Sequence, residues 1–250
     1  AAGILTMVRD QADSDANVRR DSPDFSTDTL TMFINLMLAQ AQVCFYEKAK
    51  LDGLGAKVMS KLANQISENY SEILSMINRD PLNKMVDKYF TAIMSMQQNI
   101  FKALAYYWMS KNDFAEVEKT SSGFGIGIAR LKLGMKFLTR ASVHTSLASK
   151  SLNDTLNHVQ SVMSEALQKA EERNFKIYMD VIPNEDKVEA LQSVSLVQAV
   201  PMKDDITGWD TAFEVLNRLI PAEVRAMLDE YKGRLNEVLN TQAAKVAASD

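Results

Sequence analysis

Few side chains in this chain have the types and spacing that chemistry requires. Cys44 is the only cysteine. As a nucleophile it would need a nearby base and a depressed thiolate pKa. It follows Val43 in an apolar run and shares a helical face with Met37 and Ala41, so it is expected to be a buried structural thiol. His144 and His158 are far apart and lack ligand-spaced partners, so no metal centre is expected. Glu171-Glu172 and Asp204-Asp205 read as solvated acidic faces. The glycines of "SSGFGIGIAR" (Gly123, Gly125 and Gly127) look like a phosphate loop. Such a loop needs a strand before it and a helix N-terminus after it, whereas helical pattern precedes these glycines. Close helix packing or a distortion in a long helix is the expected role. No catalytic site and no cofactor are expected.

The most informative stretch is "AQAQVCFYEKAKLDGLGAKVMSKLANQ", Ala39 to Gln65. Two helical runs meet at D-G-L-G, with Gly53 and Gly55 expected as the cap and turn of a helical hairpin. On a projection of 100° per residue centred on Met59, Ile66 and Ile77, Val58 falls about 100° and Leu62 about 60° off the centre of the buried stripe. Phe45 is similarly displaced from the line of Leu30, Met37 and Cys44, and Lys48 lies one turn beyond it. An antiparallel hairpin would set Phe45 beside Val58 and Leu62, giving an apolar strip with a cationic rim. That shape suits an amphipathic helix with acidic side chains. Periodicity leaves two readings, core edge or partner groove, and by itself favours the core edge.

The elements that must position these residues are helical. Only 5 Pro and 9 Gly, with 14 Met, suit long helices in a chain of 250 residues. The polar stretch 14–28 reads as an internal loop, with Ser26, Thr27 and Asp28 as N-cap candidates for a helix of about 29–51. A second helix is expected over about 55–79. A Met-rich and aromatic run extends from Asp80-Pro81 to about Asn112. Asp113 is expected to open a helix of 114–147, and Asn153-Asp154 one that runs to about Phe175. Periodicity stops at "IYMDVIPNEDKVEALQSVSLVQAVPM", so an extended crossing segment is expected near 177–202. Two final helices follow, Pro221 opening the second. The fold class is therefore all-α: an elongated helical solenoid of tetratricopeptide-like hairpins without a strict sequence repeat. The start, "AAGILTMVRDQ", reads as the middle of an amphipathic helix, so a fragment of a longer protein is expected. The best apolar run is interrupted by Asn35, Gln40 and Gln42, which argues against a membrane span. A net charge of −4 gives no whole-molecule attraction to nucleic acid. One cysteine fits a reducing compartment.

The motifs D-T-L, L-M-L-A-Q-A-Q, F-x-x-K and K-L-A-N-Q, between Asp28 and Gln65, resemble the BRO domain shared by Alix and its fungal relatives. "FGIGIARL", "NFKIYMDVIP" and "SLVQAVPM" extend the resemblance from about Ala1 to about Asn240. It implies a single domain over 1–250, lacking a counterpart of the family's amino-terminal third. It also implies a curved, non-catalytic helical solenoid, cytoplasmic and recruited peripherally to endosomes. The implied partner is the C-terminal amphipathic helix of an ESCRT-III subunit of the Snf/charged multivesicular body protein type. Carried over motif by motif, the groove positions are Phe45, Lys48, Val58 and Leu62. Tyr178 matches a tyrosine linked to kinase-adaptor binding, a phosphotyrosine candidate; the other reading is a packed aromatic. Val43 replaces the family's usual acidic residue, and Val58 its isoleucine, which bears on affinity and partner choice. The alternative function is a curved scaffold on acidic membrane or cytoskeleton.

Overall fold

The computed structural model describes residues 1–14, 23–120, 123–201 and 222–247. By contact the chain divides into Ala1–Met202 and Lys203–Asp250, two units where a single domain over 1–250 is expected from the sequence. Within the first unit the helices are α1 (Ala2–Ser14), α2 (Thr27–Leu51), α3 (Ala56–Ile77), the short α4 (Leu82–Met85), α5 (Lys88–Thr120), α6 (Phe124–Ser142) and α7 (Lys150–Arg173). In the second unit, α8 spans Ala222–Ala247. The stretch "GWDTAFEVLNRL" and Pro221 lie outside the described residues. No strand occurs among the described residues. Consecutive long helices pack on one another, α2 on α3, α3 on α5, α5 on α6 and α6 on α7, which is the hairpin-by-hairpin arrangement expected.

Local chemistry explains where these helices begin and end. The Ser26 side chain caps α2 by accepting from the Thr29 amide. At the D-G-L-G turn, Gly53 N–H bonds to Lys50 O and Leu54 N–H to Ala49 O, closing α2 in a Schellman motif. Gly53 takes the left-handed conformation (φ 70°) this needs, and Gly55 caps α3. Two expected starts are corrected. Asp113 does not open a helix: α5 runs through it to Thr120, because the Asp113 side chain is turned inward beside Arg130, 2.9 Å away. The break comes instead at Gly123, whose φ of 92° a side chain would resist. Likewise α7 starts at Lys150 on the Ser149 cap, leaving Asn153 free to donate to Thr145 O.

The first unit is held by two apolar clusters. One joins α2, α3 and the first half of α5 around Tyr46, Met59, Leu62 and Ile66; the other joins α5, α6 and α7 around Met96, Phe124, Leu131 and Met163. The segment after α7 is extended as expected, with a one-turn 3-10 helix at Glu185–Lys187. It works as a strap. Gly125 of α6 lies so close to it that a Cβ there would sit 2.2 Å from Val181 O. Farther on, the buried Asn64 of α3 donates to Leu191 O and Ser193 Oγ, while Lys102 Nζ donates to Asn64 Oδ1. The buried Gln42 of α2 donates to Val194 O and accepts from Leu196 N–H. By its length and apolarity α2 could cross a membrane. A wholly buried amide satisfied on both sides by the strap marks it instead as a packed helix.

Candidate partner-binding surface

Phe45 and Leu62 each lie six residues from the hairpin end of their helices, so they stand at the same level of the α2–α3 pair. Their environments differ completely. Phe45 is 44% exposed and Leu62 0%. Val58, one turn nearer the hairpin tip, is 43% exposed, and Leu51 and Leu54 in the turn are exposed too. The structure therefore brings Phe45 and Val58 to the surface and corrects the expectation for Leu62, which is a core side chain. Its burial has a physical cause. Helix α3 is packed between α2 and α5, and Leu191 and Val194 of the strap cover the same cluster, so its buried arc is wider than a single-sided projection assumes. Leu62 can support this surface from beneath but offers no face of its own.

Lys48 follows Phe45 by three residues, which puts both on one helical face. It is exposed, as are Lys50 and Lys57, and Lys61 is half-buried. Lys50 lies 3.8 Å from Glu47. Between Phe45 and Leu62 the chain carries four lysines against Glu47 and Asp52, a local positive excess on a chain of net negative charge. The surface is thus apolar side chains in a cationic setting. No group of three or more His, Cys, Asp or Glu that could hold a metal occurs among the described residues.

Leu196 was not anticipated. It is 53% exposed, and its backbone is tied to Gln42, one turn before Phe45 on α2. The strap thus adds an exposed leucine beside the Phe45 turn, from a position 151 residues later (196 minus 45). The buried glutamine pairing fixes that proximity, and no local pattern signals it. Cys44 is a further correction: it is exposed, because it faces a cleft on another side of α2. Tyr178 is half-buried in the π-helical turn Asn174–Tyr178. Its ring stacks on Phe124 at 4.2 Å between centroids, and its hydroxyl accepts a long 3.5 Å bond from Arg173.

The model of the BRO1-like domain matches residues 1–239. The chain belongs to the BRO1-like domain family. It is 27% identical to ALG-2 interacting protein X of Dictyostelium discoideum over 90% of the chain and 27% of that protein. To the vacuolar-sorting protein BRO1 of Arabidopsis thaliana it is 26% identical, over 98% of the chain and 28% of the relative. The chain therefore spans about a quarter of the length of these relatives. The solved ALIX BRO1 CHMP4C complex superposes with a TM-score of 0.68 at 23% identity, covering 83% of this chain and 54% of that one, which shows a shared fold. The BRO1-like match runs well beyond the motif-rich stretch 28–65, as the resemblance implied.

Proposed function

We propose that this BRO1-like chain is a non-catalytic adaptor in endosomal sorting. Its α2–α3 surface binds the C-terminal amphipathic helix of an ESCRT-III subunit. The observation that carries the reading is the exposure of Phe45 and Val58 on a hairpin rich in lysines. A related BRO1 domain is known in complex with CHMP4C. In the mechanism, apolar side chains on one face of the helix cover Phe45, Val58 and Leu196, while its acidic side chains meet Lys48, Lys57 and Lys61. Phe45 is the central anchor, the kind of residue on which affinity concentrates. The lysines steer encounter, so they act on association rate and salt dependence more than on final affinity. Leu62 keeps α3 at the depth that presents Val58. The chain acts in the cytoplasm and reaches endosomes through this contact. Phosphorylation at Tyr178 belongs to the same reading: the ring must leave the face of Phe124 before a kinase can reach its hydroxyl.

Fluorescence anisotropy of labelled ESCRT-III C-terminal peptides tests the proposal. Saturable binding that weakens with added salt is expected. Liposome sedimentation provides the contrast. If the peptides fail to bind while acidic vesicles bind at physiological salt, and still bind Phe45→Asp, the chain is a membrane scaffold instead.

A further inference from the structure

A second apolar concavity lies on another side of α2. Residues two apart on a helix point about 200° apart, so Phe45 and Glu47 face opposite ways, and Glu47 lines a cleft of about 820 Å³. Helix α5 forms its floor with Leu104 and Trp108, and α2 and α7 form its walls with Val43 and Val162. That volume falls within the range of roughly 300–1,000 Å³ typical of small-molecule pockets, which are likewise apolar with a few placed polar groups.

The buried polar side chains in the lining are two phenols; Gln40, Lys50, Ser151 and His158 line it from exposed positions and Gln97 and Tyr107 from half-buried ones. Tyr70, from α3, lines the cleft with only 4% of its surface exposed, and its hydroxyl has no hydrogen-bond partner. That oxygen is reachable from the cleft and not sealed in the core, so its proton is open to an incoming acceptor. Tyr46 also lines the cleft; its oxygen accepts from Trp108 Nε1, which leaves its own proton to donate. A phenol is a protonated donor at neutral pH, and burial pushes both of these further up, to about 12. The one carboxylate in the lining, Glu47, is half exposed at the rim. Apolar walls with two inward donors and no buried acceptor charge select for an oxygen acceptor on an apolar body.

We infer that the α2–α5–α7 cleft binds a small lipid of the fatty-acyl class, its carbonyl or carboxyl oxygen accepting from Tyr70. The source is either a free acid or one acyl chain of a membrane lipid. Cys44, also in the lining, gives a built-in reporter.

The test is titration of the 250-residue chain with cis-parinaric acid, followed by fluorescence. Saturable one-to-one binding is expected, with labelling of Cys44 by a maleimide slowed several-fold. Thr155→Trp, at an exposed position in the lining, should fill the cleft and abolish binding. Tyr70→Phe should weaken the acid about five- to tenfold, leave a hydrocarbon of equal length unaffected, and leave the Tm nearly unchanged, since the hydroxyl holds no partner within the protein. Displacement by oleic acid alone identifies a free acid as the occupant, and displacement by phosphatidylcholine vesicles a membrane lipid; either result supports the site. Absence of saturable binding, binding that survives Thr155→Trp, or an unchanged affinity in Tyr70→Phe would overturn it. None of these readouts depends on Phe45, so the inference can fail without the adaptor reading failing.

Discussion

Phe45 and Tyr46 are sequence neighbours with opposite fates. One projects into solvent on a lysine-rich surface; the other is enclosed, holding Trp108 by a hydrogen bond and Phe101 edge-on at 5.6 Å. A single helix thus serves two regions that differ in what they can offer a partner. The outer region is convex side chains around a hairpin tip, suited to a helix that brings its own apolar face. The inner region is a walled cleft, suited to a small molecule. The difference arises because α2 is packed from several directions at once: by α3, by α1, and by a strap from the far end of the unit. Whatever remains between those contacts is left open, and it is open on two sides.

The sharpest way to break the contrast between supporting core and presented surface is to truncate the core side. Leu62→Ala should cost about 2–5 kcal/mol of stability, since a wholly buried leucine leaves a cavity; chemical denaturation reads this directly. A loss below about 0.5 kcal/mol would mean that Leu62 is not the support described. The next effect concerns the ion pair that holds α5 to α6. Asp113 and Arg130 are both largely buried, 2.9 Å apart, but without hydrogen-bond alignment between Arg130 Nε and Asp113 Oδ2. Burial raises the Asp113 carboxyl above the usual Asp range, with Arg130 pulling it back down. A carboxyl raised in the folded state contributes stability at low pH that is lost as pH climbs through its folded value. Arg130→Met strands the carboxylate, so the variant should lose roughly 3 kcal/mol at neutral pH. That deficit should shrink on acidification through the folded pKa of Asp113. Urea melts at neutral and mildly acid pH check both statements, and a deficit that widens on acidification would reverse the assignment.

Surface changes should move binding and leave stability nearly untouched. Leu196→Ser should weaken an ESCRT-III peptide several-fold with little change in Tm, because the leucine is half exposed and only its backbone is tied down. Equal affinity would remove the strap from the proposed interface. Lys48→Asp should have the smallest effect on affinity, about two- to fivefold at low salt, and should flatten the salt dependence of the association rate. Stopped-flow measurement across a salt series decides it.

The helical class and most helix ends were legible because they rest on local rules: the Ser26 cap, the Gly53 turn, the Met59–Ile77 stripe. Where expectation and structure parted, the deciding contact was distant in sequence. Leu62 looked peripheral until α5 and the strap closed over its side of α3. Asp113 looked like a cap because Asp caps helices, yet its partner Arg130 lies on the next helix. Cys44 looked buried because its neighbours are apolar, but the wall opposite is α7, and it stands off to leave the cleft. Leu196 lacked any local signal at all. The exposure of Phe45 and Val58 agrees with their displacement from the buried stripes, because the hairpin that relates them is local.

The most direct test of the account is calorimetric titration of an ESCRT-III C-terminal peptide into the wild-type chain and into Phe45→Asp, with thermal melts of both. The account predicts saturable one-to-one binding by the wild type, loss of at least thirtyfold in affinity in the variant, and closely matching melting temperatures. Equal affinity in the two folded proteins would contradict it.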